Sequence, residues 1–297
     1  AKREEMERKN AELIEANKKI ENANQVIGDS FRAGNAALAA KPPNYEEAIR
    51  QYDTGIAADV DHPGTPSLLT NKSVALRMRG VERFNAAIQS TDAAAKTSGM
   101  ELAKADFKAS ADAASQAVEL LKKLTTPTDP NELKQFEQNK YFALAARAES
   151  MRLFATKGDQ TKAGDAATAF QEYIAVKTDA VKKTKAQKDY AQLLFETASD
   201  TAGYERAVAE YQKILEANPD DPDALLRIGQ AMFNIGALNN NDKAKYQEAA
   251  NYLQRFVDKA LDTNPLKAEA KDLIVALKAQ ANVTPEKAPA RPARRRP

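Results

Sequence analysis

The single histidine of the 297-residue chain, His62, stands in Asp59-Val-Asp61-His62-Pro63, a run that offers carboxylate and imidazole donors of the kind a metal ion takes. One imidazole without cysteine or a second histidine cannot complete a zinc set, so the run reads as a turn closed by Pro63. Asn218-Pro-Asp-Asp-Pro-Asp223 is acidic enough for calcium, but it lacks the EF-hand ligand spacing and glycine. It reads as a turn whose acids favour the N-terminus of the next helix. The absence of cysteine removes disulfides, thiolate nucleophiles and Cys-based zinc or iron-sulfur sites. No nucleophile elbow, phosphate loop, dinucleotide-binding glycine motif or zinc-protease histidine pair occurs. The expectation is a non-enzymatic chain that needs no cofactor and no metal.

Charge concentrates at one end. The last fourteen residues, 284–297, carry Lys287, Arg291, Arg294, Arg295 and Arg296 against Glu286, a net +4 in a chain of net +2, so the rest stands at −2. A nearly neutral body has no broad footprint for a phosphate backbone. Affinity for nucleic acid or an anionic surface therefore falls to the basic tail, Arg291, Arg294, Arg295 and Arg296, and nucleic acid is not the expected partner of the body. No apolar stretch approaches the roughly 18–20 residues of a membrane span.

The elements that carry these residues are helical. Ala, Lys, Glu, Gln, Asp and Leu dominate, Trp is absent and strand-length β-branched runs are hard to find. The clearest unit is Gly203 to Pro219, where Tyr204, Ala207, Tyr211 and Ile214 fall three, four and three residues apart on one helical face. Asn218-Pro219 stops it. At a period of roughly 34 residues, Leu225, Ile228, Gly229 and Met232 land where the first helix of the next hairpin places its packing residues. The second-helix pattern returns as Tyr246, Ala249, Leu253, Phe256 and as Tyr45, Ala48, Tyr52, Gly55. It returns in divergent form as Phe107, Ser110, Ala114, Ala117 and as Ala166, Phe170, Tyr173.

This pattern resembles the tetratricopeptide repeat family, whose first helix carries large-Gly-large and whose second carries aromatic, Ala, aromatic and then Pro. The resemblance implies an all-α fold: an α-solenoid of about five divergent helix-turn-helix repeats with a long N-terminal helix and a C-terminal capping helix. The expected boundaries are a charged helix over 1–26, repeats over 27–63, 64–127 (with a long insertion), 128–181, 182–221 and 222–265, a cap over 266–283 and the tail over 284–297. Insertions are expected at 39–43, 81–103 and 236–244. In the second, residues 82–95 can prolong the first helix, with Phe84 and Ala87 as an alternative packing pair.

The resemblance also implies a protein or peptide partner held in a groove lined by first helices. Arg32-Ala-Gly34-Asn35 and Leu69-Thr-Asn71-Lys72 resemble the first two motifs of a carboxylate clamp, placing Asn35, Asn71 and Lys72 at the groove. Lys140 matches a third-helix lysine. The clamp is incomplete, because Phe31 stands where the first-helix lysine belongs and Leu144 where an arginine belongs. Arg227, Gln230 and Asn234 are expected to line the groove of the fifth repeat. A second copy of the chain is a further expected partner, giving an oligomer or filament.

Lys2 to Ile27 reads as one long helix. Met6, Leu13, Ile20 and Ile27 recur every seven residues, but Asn10, Asn17 and Asn24 occupy the companion positions, which makes half of a coiled-coil seam. The bland reading is an extension of the first repeat helix, partly packed on its neighbour. A charged helix feeding such an array is also similar to bacterial cell-envelope proteins in which a small β-sandwich precedes the repeats. That likeness, and a sequence opening at Ala1 rather than Met, favour a periplasmic or extracellular location over a cytoplasmic one, with a targeting segment or N-terminal domain removed.

Overall fold

Six short polar residues start six helices. Asn44, Asp92, Asp129, Asp200, Asp221 and Asp242 each accept a backbone N–H of the first turn that follows, at 2.7 to 3.1 Å. These N–H groups have no partner inside the helix, so the capping side chain fixes where it begins. Pro130 and Pro222 in the first turn reinforce two of these starts, and Pro66 marks the start of a helix that has no side-chain cap.

In this computed structural model the described residues are 2–176 and 180–286, and they contain helices and turns with no strand. The fold is all-α. The chain divides into two compact units, Ala1–Val176 and Lys177–Pro297. The first holds α1 (Lys2–Ala39), α2 (Tyr45–Ala58), α3 (Thr65–Gln89), α4 (Ala93–Lys123), α5 (Pro130–Leu153) and α6 (Ala163–Ala175). The second holds α7 (Ala180–Thr197), α8 (Thr201–Ala217), α9 (Pro222–Leu238), α10 (Lys243–Lys259) and α11 (Leu266–Ala281).

Among the described residues successive helices pair as five antiparallel hairpins, with α11 closing the last. In α1/α2 a Cβ placed on Gly34 would lie 2.4 Å from Tyr52, and one on Gly55 would lie 2.9 Å from Ser30, so later residues of one helix face earlier residues of the other. Gly80 faces Phe107 in α3/α4, and Gly229 faces Leu253 in α9/α10. Gly34, Gly80 and Gly229 each admit a large residue of the facing helix where any side chain would block it, and Gly55 lets Ser30 approach. The expected packing sets are buried: Ala48 and Tyr52, Phe107, Ala114 and Ala117, Ala166, Phe170 and Tyr173, Ala207, Tyr211 and Ile214, and Tyr246, Ala249, Leu253 and Phe256. Tyr204 is half-buried against Phe195.

The insertions resolve individually. The prolonged first helix of the second hairpin ends at Gln89 rather than near Ala95, and both registers are used, Gly80 on Phe107 and Ala87 on Gly99. Gly236, at the edge of the expected third insertion, still lies in α9 and meets Tyr246 seven residues beyond the Gly229 contact. The turn after it holds Asn240 and Asn241 at φ 55 and 62, a left-handed conformation that Asn tolerates. The expected 26/27 boundary falls inside α1, which runs unbroken through Gly28. The last described residues, 283–286, fold back along α10: Gln247 donates to the Thr284 carbonyl at 2.7 Å and the Glu286 N–H donates to Asn251 at 2.8 Å.

Candidate functional site

Within the first unit α3 touches both α1 and α5, and within the second α7 touches α9. First helices thus lie side by side and present one continuous helical face per unit. On the face of the first unit Asn35 and Asn71 come together, the Asn71 amide donating to the Asn35 oxygen at 2.8 Å. The same oxygen accepts the Tyr52 hydroxyl at 2.7 Å. Burial pushes the Tyr52 phenol up to about 12, with Asn71 opposing the shift. Asn35 has therefore spent its acceptor on the scaffold, and its amide N–H2 has no partner among the described residues. That is the right donor chemistry for a peptide carbonyl or carboxylate.

Lys72, next to Asn71 in sequence, does not join this cluster. Its ammonium pairs with Asp53 of α2 at 2.6 Å, so it ties adjacent hairpins together. Lys140 lies exposed in the first half of α5. In the second unit Arg227, Gln230 and Asn234 are half-buried on α9. Arg227 lies 5.3 Å over the ring of Phe195 and donates to Gln230 at 2.9 Å. Gln230 in turn reaches Glu269 of α11 at 3.4 Å, which brings α7, α9 and α11 to one polar line. Beneath it Tyr211 donates to Gln192 at 2.8 Å, and burial pushes its phenol up. Arg291, Arg294, Arg295 and Arg296 lie outside the described residues.

His62 closes the turn the sequence suggests. Its Nδ1 accepts the Gly64 N–H at 2.9 Å and its other ring nitrogen meets Asn24 of α1 at 2.5 Å. Asp221 caps α9 and binds Lys188 at 2.6 Å. Burial draws Lys188 down, but Asp221 and Asp223 outweigh it and its ammonium titrates above the usual range. No group of three or more metal-ligating side chains is gathered among the described residues, and no described helix is long and apolar enough to cross a membrane.

Sequence reasoning missed two polar clusters in the first unit. Asp106, 4% exposed on α4, accepts from Arg79 at 2.6 and 3.1 Å and from Arg83 at 2.8 Å, and Glu46 of α2 completes the group. Burial lowers the Arg79 pKa, yet Asp106 and Glu46 raise it further than burial lowers it. Ser73, Ser110 and Ser150, all buried, join α3, α4 and α5 through hydroxyl contacts of 2.7 to 3.1 Å. The available signal was a carboxylate between Ala103 and Phe107 on an otherwise apolar face, opposite arginines four residues apart.

No protein-family model matches the chain. No curated protein matches it. Among the solved structures that match, the TPR2AB-domain:pHSP90-complex of yeast Sti1 is 19% identical over 87% of this chain and 99% of that one, at a TM-score of 0.30. A TM-score that low carries no argument, and the helical-hairpin architecture stands on the packing described above.

Proposed function

We propose that the chain is a non-enzymatic protein-interaction scaffold that holds an extended peptide or a partner helix along the face of its first helices. The observation that carries this reading is the polar line of the second unit. There Arg227, Gln230 and Asn234 are half-buried on a helix whose opposite side is fully packed, so a partner meets fixed groups at little ordering cost. Arg227, stacked on Phe195, offers a bidentate donor to a carboxylate. Asn35 and Asn71 add amide groups in the first unit. Selection from a random peptide library tests this: peptides enriched on the chain carry an acidic residue, and Arg227→Ala weakens them about tenfold or more. Failure to enrich any sequence, or equal binding to Arg227→Ala, refutes it.

Self-assembly into an oligomer belongs to the same reading, as does placement in the bacterial envelope. The alternative, an adaptor held to nucleic acid or an anionic surface, draws on the five cations of residues 284–297. It requires binding that weakens with salt and disappears when residues 291–297 are removed.

A further inference from the structure

Every described side chain from Arg3 to Asn22 is exposed, so the first five turns or so of α1 project from the hairpins instead of packing on them. Half-burial begins at Ala23, and named contact with the body at Asn24 and Ile27. The expected partial packing on a neighbour is confined to that last turn. Met6, Leu13 and Ile20 stand 68%, 60% and 57% exposed, spaced by sevens in line with buried Ile27. The arm is continuous with the packed part of α1, so its helix needs no separate nucleus, but its apolar line stays open to water. Its exposed ion pairs Arg3–Glu7, Glu5–Lys9, Arg8–Glu12 and Glu15–Lys19 do little to offset the exposed line.

We propose that this line is a contact surface for a second copy of the chain, the two α1 arms pairing antiparallel over roughly Met6 to Ala23. The positions three residues after Met6, Leu13 and Ile20 are Lys9, Ala16 and Ala23. Antiparallel pairing sets each large residue against a small or flexible one: Leu13 against Ala16 of the second copy, Met6 against Ala23, and Ile20 against the aliphatic stem of Lys9. It also sets Glu12 beside Lys19 of the second copy, twice by symmetry, and leaves Asn10 and Asn17 facing each other along the opposite edge. Parallel pairing would instead stack Lys9 on Lys9 in the seam and alternate oversized with empty layers. Three heptads with alanine in four of the six layers bury about 1,000 Å², the low end for a stable contact, so the pair dissociates at micromolar concentration. Pairing is independent of peptide binding, and each can fail without the other.

Sedimentation of the full chain from about 1 to about 200 µM should show a monomer–dimer equilibrium. Leu13→Ala with Ile20→Ala preserves helix propensity and should weaken it at least about tenfold, with peptide binding unchanged. Glu12→Lys should weaken it, and adding Lys19→Glu should restore it, which a parallel pair would not show. A nitroxide on Arg3→Cys, the sole thiol of the chain, should report a separation of about 35 Å, against under about 20 Å for a parallel pair. A strict monomer across the range, association untouched by the alanines, no rescue by the double swap, or the short distance each overturns the proposal.

Discussion

Replacing Gly34 by alanine tests the packing principle of the fold, because the same helix supplies its own control. In a helix interior alanine is better than glycine by about 0.8–1.0 kcal/mol, so Gly28→Ala, whose new methyl would find only Arg32 at 3.6 Å, should stabilise by roughly that amount. At Gly34 the same gain meets an obstacle. The new Cβ would lie 2.4, 2.7 and 2.8 Å from three ring atoms of Tyr52, whereas carbon atoms rest at about 3.5–4.0 Å, so ring or helix must retreat by about 1 Å. Tyr52 is fully buried, and retreat breaks its hydrogen bond to Asn35. Overpacking costs about 1–3 kcal/mol and the lost bond about 1, which leaves a net destabilisation of about 1–3 kcal/mol after the propensity gain. Urea unfolding gives the free energies, and calorimetry should move the two midpoints in opposite directions by about 2–4 °C per kcal/mol for a unit of this size. A Gly34→Ala chain as stable as the parent would refute the claim that contact between this glycine and Tyr52 sets the hairpin spacing.

Asp106→Ala should cost about 3 kcal/mol in urea unfolding, since it strands Arg79 and Arg83 with only the exposed Glu46 as counterion. A loss below about 1 kcal/mol would mean that water already screens the group. Alkaline pH should also destabilise the chain. Tyr52 titrates near 12 in the fold and an unfolded tyrosine near 10, so its contribution is complete below about pH 10 and fades as pH rises through about 12. That gap corresponds to at most about 2.7 kcal/mol, and Tyr52→Phe should flatten this part of the pH profile. A urea midpoint that holds constant from about pH 9 to about pH 12 would contradict the assignment.

The hairpin cores were legible because buried residues at three, four and three spacing leave a trace in any sequence, as Tyr246, Ala249, Leu253 and Phe256 do. Gly236 stands at the edge of the insertion expected over 236–244, and only Tyr246 opposite shows that it is a packing contact. The clusters around Asp106 and the three serines join residues from 23 to 77 positions apart, and no local spacing encodes such apposition. Asn35 and Asn71 were located through a family likeness, but that Tyr52 would consume the Asn35 acceptor was invisible without coordinates. Periodicity marked the line from Met6 to Ile27 as apolar; whether a neighbouring hairpin covers it is a tertiary question.

Because α1 passes from its exposed part into the first hairpin without a break, it behaves mechanically as a lever. From Ile27 its free arm extends for about 35 Å, while the portion gripped between Ile27 and Gly34 spans about 10 Å. Any load applied near Met6 therefore reaches the Gly34–Tyr52 contact multiplied about threefold, with no hinge to absorb it. The first hairpin is where tension on this molecule would be felt first.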